Sequence, residues 1–378
     1  MLLDPDTIES LSNHGIRNAR SPNDCVISTP SAKDLPQRFV TQGLVDLQIN
    51  GFAGVDYNDP LATPDAIEAS MRSMVKTGVT RCLPTVITAD LEWQSRCFKT
   101  LENARAQSAL TASMITGYHL EGPFLNPEPG YSGCHPAADM RAGELDYFER
   151  VQAAANGQIR LVTVAPERPG VMALIPQLVK RNVCVAIGHS SADHETVQRA
   201  VEAGASMSTH LGNGVAPMVK KSDNIVLSQL ANDKLAASFI ADGMHLKEHV
   251  LGIYLRAKTA KRTVLVTDGT AGSAAKPGRY TLGKIAIERQ LEPTVTIPGT
   301  SSLAGSATTL DQCVRNVCSW YEVSMQDAVS WASSCARRVI GMSDTAIEGD
   351  PVEWVWWETI NGEPHIKRVQ LGQAYIAS

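Results

Sequence analysis

The sequence predicts an α/β protein built on a closed (β/α)8 barrel of TIM type, with a small β-domain beside it. Three observations carry this expectation. Short β-rich segments recur from Gly43 to about Gly341, each followed by an amphipathic stretch, and alternation of that kind implies a parallel sheet. The span suits a barrel, whose usual size is about 250 residues before insertions. An open doubly wound sheet shares the alternation but usually carries a Gly-rich dinucleotide turn after its first strand, and "DLQINGFAGVDYND" lacks GxGxxG.

In chain order the eight strand candidates are "GLVDLQIN" (43–50), "VTRCLPTV" (79–86), "SMITGYHLE" (113–121), "QIRLVTVAP" (158–166), "NVCVAIGH" (182–189), "ASMSTH" (205–210), "LAASFIAD" (235–242) and "TVLVTD" (263–268). Between them, stretches such as "TPDAIEASMRSMVKTG" and "DHETVQRAVEAG" place apolar residues at helical spacing and stop on a glycine. The tail "PVEWVWWETINGEPHIKRVQLGQAYIAS" alternates apolar and polar residues around an "NG" turn, a hairpin signature. The head is rich in Pro, Ser and Asn and offers only "DCVIST" and "QRFV" as strand candidates.

Composition narrows the function classes. Of 378 residues, 43% are hydrophobic, enough for one large core plus an accessory domain. Lys+Arg 34 against Asp+Glu 39 gives a net charge of -5 with no long run of either sign, which argues against a nucleic-acid or membrane partner and for a small molecule. The start "MLLDPDTIESLSNHG" is acidic without an apolar core, and no apolar run reaches transmembrane length, so a cytoplasmic protein is expected. The cysteines at 25, 82, 97, 134, 184, 313, 318 and 335 form no CxxC pair and read as reduced thiols.

In such a barrel, reactive groups sit where strands end, because those C-terminal ends converge on one mouth. Glu121 closes the third strand, His189 the fifth, His210 the sixth and Asp268 the eighth. Two imidazoles and a carboxylate suit Zn²⁺ and leave a coordination position open, as a hydrolytic centre requires. Asp268, ending "VLVTD" before a glycine, can face such an ion and move a proton to and from it. The competing reading makes Asp268 the N-cap of a following helix. His194, inside "ADHETVQ", reads as the first turn of a surface helix and not as a ligand.

The segments "HLEGPFLNP" (119–127), "GCHP" (133–136), "IGHS" (187–190), "THLGNG" (209–214), "IADGMHL" (240–246), "LVTDG" (265–269) and "LAGSATTL" (303–310) resemble the amidohydrolase superfamily, and within it the N-acetylglucosamine-6-phosphate deacetylases. The resemblance covers about Gly43 to the C-terminus. It implies that Glu121, His189 and His210 hold a metal and that Asp268 is base and then acid. It further implies substrate contacts from His135 beside Cys134, from His245 beside Met244, from Asn213 and Gly214 at the sugar phosphate, and from the loop Leu303, Ala304 and Gly305. It also implies a small β-domain assembled from both chain ends and a homodimer. The resulting division is 1–42 and 345–378 for the small β-domain and 43–344 for the hydrolase barrel.

Two departures from the family's pattern shape the expectation. Many amidohydrolases carry HxH on strand one for a second metal, where this chain has Gln48 and Asn50, and "LVTVAPE" on strand four holds no lysine. One divalent ion per subunit is expected, Zn²⁺ with Fe²⁺ or Co²⁺ as alternatives. The family's HL(F/Y)NAM and Arg-Glu-Pro-Gly run is replaced by "HLGNGVAPMVKKSDN". Lys220 or Lys221 would then stand in for the arginine, as a point charge without its bidentate fork. The expected function is removal of acetyl from an N-acetylated amino sugar, foremost N-acetylglucosamine 6-phosphate. The alternatives are an unphosphorylated N-acetylhexosamine or other N-acyl substrate and, from another class, a barrel that binds without catalysis.

Overall fold

The protein is described by a computed structural model covering residues 35–342, 353–372 and 374–377. The strand candidate "DCVIST" (24–29), with the rest of 1–34 and 343–352, lies outside the described residues. In chain order the strands are β1 (Arg38–Gln42), β2 (Leu44–Ile49), β3 (Gly51–Phe52), β4 (Val55–Asp56), β5 (Val79–Ile87), β6 (Tyr118–Glu121), β7 (Ile159–Val164), β8 (Cys184–Ile187), β9 (Met207–Ser208), β10 (Ala236–Ile240), β11 (Thr263–Val266), β12 (Gly278–Leu282), β13 (Ile285–Arg289), β14 (Thr294–Thr296), β15 (Leu303–Ser306), β16 (Glu353–Ile360), β17 (Glu363–Leu371) and β18 (Ala374–Ala377).

Eight of them form one parallel sheet in the order β11-β10-β9-β8-β7-β6-β5-β2. The ring closes through backbone just beyond the two outer strands. Asp268 N–H donates to Gln48 O at 2.9 Å and Asn50 N–H to Gly269 O at 2.6 Å, with a parallel bridge between Ile49 and Gly269. Each predicted segment overlaps one of these strands, the second running one residue further, to Ile87. The third is shorter than expected, because Ser113 and Met114 end a helix, Ala109–Met114, and the strand begins only at Tyr118. Ser108 Oγ accepts from Thr111 N–H at 3.1 Å and starts that helical turn. A short apolar run does not by itself separate strand from helix.

The flanking helices follow the sequence signals. Thr63 caps Pro64–Val75 by accepting from Ala66 N–H, and that helix buries Ile67, Met71, Met74 and Val75. Asp193 caps His194–Glu202 through Thr196 N–H, so His194 does open an exposed first turn. Such caps satisfy amides that have no partner within the helix and stabilise it by about 1 kcal/mol each. The main core lies between the barrel strands and these helices. No helix among the described residues is long and apolar enough to cross a membrane. The described cysteines are all free thiols, and Cys25 lies outside the described residues.

Both chain ends meet in a second, antiparallel sheet of order β1-β16-β17-β18. Asn361 and Gly362 turn the predicted hairpin with φ of 53° and 83°, as an "NG" pair of primed type requires. Phe39 stacks on Trp357 with ring centroids 6.0 Å apart. The sheet is tied to the barrel away from its mouth by Glu353, whose buried carboxylate accepts from Arg81, Arg337 and Thr80 Oγ1.

A third sheet, β12-β13-β14-β15, was not expected from the sequence. It leaves the chain after strand eight and returns beside it, where Ser306 N–H donates to Asp268 O at 2.8 Å. Its hairpin is fastened to the first barrel loop by Asp56 Oδ2, which accepts from Thr281 Oγ1 at 3.0 Å and Gly283 N–H at 2.7 Å. Burial pushes the Asp56 carboxyl up to about 7. Leu282, Ile287, Val295, Ala304 and Ala307 pack with Ile87 into a small core that roofs one side of the barrel mouth.

Candidate active site

Glu121 is the last residue of β6, and His189, His210 and Asp268 each stand two residues beyond β8, β9 and β11. The latter three share a left-handed backbone, with φ of 50°, 28° and 49°. That conformation costs non-glycine residues about 1–3 kcal/mol and persists where surrounding structure enforces it. Here it turns the chain sharply off the strand while neighbours hold the amide, Ser238 Oγ accepting from His210 N–H at 2.8 Å and Gln48 O from Asp268 N–H. Glycine at 214 is equally local in cause: a Cβ there would lie 2.6 Å from His189 Nδ1.

Glu121 Oε1 lies 3.0 Å from His210 Nε2 and 3.4 Å from His189 Nε2, and the two ring nitrogens are 3.2 Å apart. His189 Nδ1–H donates to Tyr131 O at 2.7 Å, which leaves the Nε2 lone pair facing the others. All three residues are buried, and their donor atoms fall within 4.8 Å of one another. Burial alone would raise the Glu121 carboxyl, yet the His189 and His210 imidazoles beside it hold it well below the usual range. Two imidazole nitrogens and an ionised carboxylate converging on one point fit a divalent metal ion. Strand one adds amides instead of imidazoles. Gln48 Nε2 donates to Glu121 Oε1 at 3.0 Å and to Asp268 Oδ1 at 3.2 Å, and Asn50 Nδ2 to Asp268 Oδ1 at 2.7 Å.

Asp268 caps no helix; it faces a cavity of about 130 Å³ shared with the triad. Burial first, and then the charge of Glu121, push its carboxyl up to about 6. Cys134, His135, Asn213, Gly214, His245, Leu303 and Gly305 line the same cavity. Ala304 is buried behind its wall, while Met244 and Lys221 are exposed and do not line it. Burial pushes the His135 imidazole down to about 3, so it is neutral, with Nδ1 3.0 Å from Thr88 Oγ1 and Nε2 3.8 Å from Glu121 Oε2.

No family model matches the chain. The N-acetylglucosamine-6-phosphate deacetylase of Bos taurus is 35% identical over 316 residues, 80% of this chain and 75% of that protein. The chain belongs to the N-acetylglucosamine-6-phosphate deacetylase family, within the amidohydrolase superfamily. The N-acetylgalactosamine-6-phosphate deacetylase of Escherichia coli is 29% identical over 370 residues, 97% of this chain and 96% of that protein. A solved N-acetyl-D-glucosamine-6-phosphate deacetylase mutant from Mycobacterium smegmatis, in complex with N-acetyl-D-glucosamine-6-phosphate, superposes with a TM-score of 0.79 at 25% identity, over 90% of this chain and 87% of that chain.

For a member of the N-acetylglucosamine-6-phosphate deacetylase family, several supporting residues went unnoticed in the sequence. Asp242 Oδ2 lies 2.7 Å from His245 Nδ1, and Asp242 Oδ1 accepts both Met244 N–H and His245 N–H, each at 2.9 Å. The Asp-to-His spacing in "DGMH" was the available signal. Glu167 accepts from Asn126, Ser190 and Ser191, bracing the loop just after His189. Ile87 and Leu282 supply an apolar wall of the cavity, for which no local pattern existed.

Proposed function

We propose that this enzyme hydrolyses the acetamide of an N-acetylated hexosamine 6-phosphate, foremost N-acetylglucosamine 6-phosphate, giving the free amine and acetate, with Asp268 as base and then acid. The observation that supports it most is the convergence of Glu121, His189 and His210 beside a carboxylate that shares their cavity. A divalent ion held by those three side chains, Zn²⁺ in this reading and Fe²⁺ or Co²⁺ as alternatives, supplies carbonyl polarisation and an acidified water. Asp268 Oδ1 is engaged by Gln48 and Asn50, so Oδ2 is the oxygen that takes the proton of the attacking water and returns it to the departing nitrogen. Neutral His135 offers a neutral N–H toward the developing oxyanion. His245, fixed by Asp242, together with Asn213 and Gly214, orients the sugar. Lys220 or Lys221, beyond Gly214, meets the phosphate. A cytoplasmic homodimer, with 43–344 as the catalytic barrel, completes the reading.

One observation favours a second reading, the galactosamine epimer, because the E. coli N-acetylgalactosamine-6-phosphate deacetylase aligns over nearly the whole chain. The experiment compares kcat/KM for N-acetylglucosamine 6-phosphate, N-acetylgalactosamine 6-phosphate and their unphosphorylated forms on purified protein with defined metal. A preference for the first of more than about ten-fold supports the proposal; equal rates with and without phosphate remove the role given to Lys220 or Lys221; no turnover of any of the four ends the deacetylase reading.

A further inference from the structure

The cavity has two unlike walls. On one side Asn213 and Gly214 follow β9 and His245 follows β10. On the other stand Ile87, the last residue of β5, and Leu282, the last residue of β12, only 4% and 1% exposed. In the ring of eight, β5 is the second strand and β9 the sixth, so the two walls face each other across the mouth. Ile87 pairs in register with Glu121, which sets the apolar wall directly beside the metal ligands.

This placement, taken with the deacetylase reading on which it rests, orients the substrate. The acyl carbonyl must reach Glu121, His189, His210 and Asp268, and its two substituents then leave in opposite directions. A sugar bearing several hydroxyls is stabilised where donors and acceptors answer it and penalised against hydrocarbon, whereas an alkyl group is stabilised by burial. We infer that Ile87 and Leu282 form the acyl pocket and set the length of the acyl chain that the enzyme accepts.

The wall is built to hold its position. Ile87 N–H donates to Asn58 Oδ1 and Ile87 O accepts from Gln94 Nε2, both at 2.8 Å. Leu282 sits between Thr281 and Gly283, both bound to Asp56. Behind it Ile287 and Val295 are fully buried, so a longer chain meets close-packed side chains and not solvent.

The test measures kcat/KM at fixed metal loading for the N-acetyl, N-propanoyl and N-butanoyl forms of one hexosamine 6-phosphate. Wild type prefers acetyl, by about ten-fold or more for each added methylene. Leu282→Ala and Ile87→Ala raise the butanoyl-to-acetyl ratio by about ten-fold or more. Leu282→Val and Ile87→Val, which disturb packing less, raise the propanoyl-to-acetyl ratio and cover the case in which the alanine variants do not fold. Unchanged ratios in folded, metal-loaded variants overturn the assignment, as does a wild type that takes butanoyl as fast as acetyl. If wild type shows no acetyl turnover, the deacetylase reading itself falls; if it shows turnover but the ratios do not move, only the acyl wall falls.

Discussion

The Asn50 side-chain amide donates to Asp268 Oδ1 across 2.7 Å, joining residues 218 positions apart where the first and eighth barrel strands meet. Burial and the Glu121 charge raise the Asp268 carboxyl to about 6, and the Asn50 hydrogen bond opposes that rise. A base must be ionised to act, so kcat/KM climbs with pH as Asp268 loses its proton and levels off once it is ionised. Asn50→Leu is expected to move the acidic limb to higher pH, by about half a unit or more. The pH profile at constant metal content checks this, and a limb that does not move counts against Asn50 acting through Asp268.

Asp268→Asn should separate metal from turnover. Glu121, His189 and His210 remain intact, so the variant is expected to keep its metal while kcat falls by about 10²–10⁴-fold. Metal analysis beside steady-state rates decides it, and retained turnover would remove Asp268 from the mechanism.

Chelation should abolish turnover, and added Zn²⁺ should restore it at close to one equivalent per chain. Gln48 and Asn50 occupy the strand-one positions where imidazoles would complete a second site. Isothermal titration of the apoprotein measures the stoichiometry. A second tight equivalent would show that amides suffice where imidazoles were required.

The ring of strands was legible because parallel strands covered on both faces read as apolar runs, and all six residues of β2 are buried. The four rim residues were legible because each ends such a run. The inserted sheet was not. Its β12, "GRYTL", alternates half-buried and exposed positions, and what holds it is Asp56, more than two hundred residues away. Local pattern carries no trace of a partner at that distance.

Removing the Glu353 carboxylate should cost the fold more than the site. Arg337 and Arg81 converge on it with little exposure, and its loss leaves buried guanidinium charge uncompensated. Glu353→Ala is expected to lower unfolding free energy by about 3 kcal/mol. Urea denaturation measures the loss, and activity well below the melting range should persist because Glu353 lies away from the cavity.

Asp56 gives the stability a defined pH slope. Its folded pKa, about 7, lies above the ordinary carboxylate value of 3.8, so the folded state binds a proton that the unfolded chain has released. The stabilisation is fully present below about 4 and lost as pH rises to about 7. The stability of wild type relative to Asp56→Asn should therefore fall across that window and stay level above it. A difference independent of pH would mean that the carboxyl titrates normally.

The chain leaves the eighth strand at Gly269 and rejoins it at Ser306, and the whole excursion between them adds one side of the mouth without contributing any of the triad. Selection can therefore rework that excursion, exchange its leucines or lengthen its hairpin, and arrive at descendants with altered appetites for acyl groups. The reaction itself would be inherited unchanged through such a history.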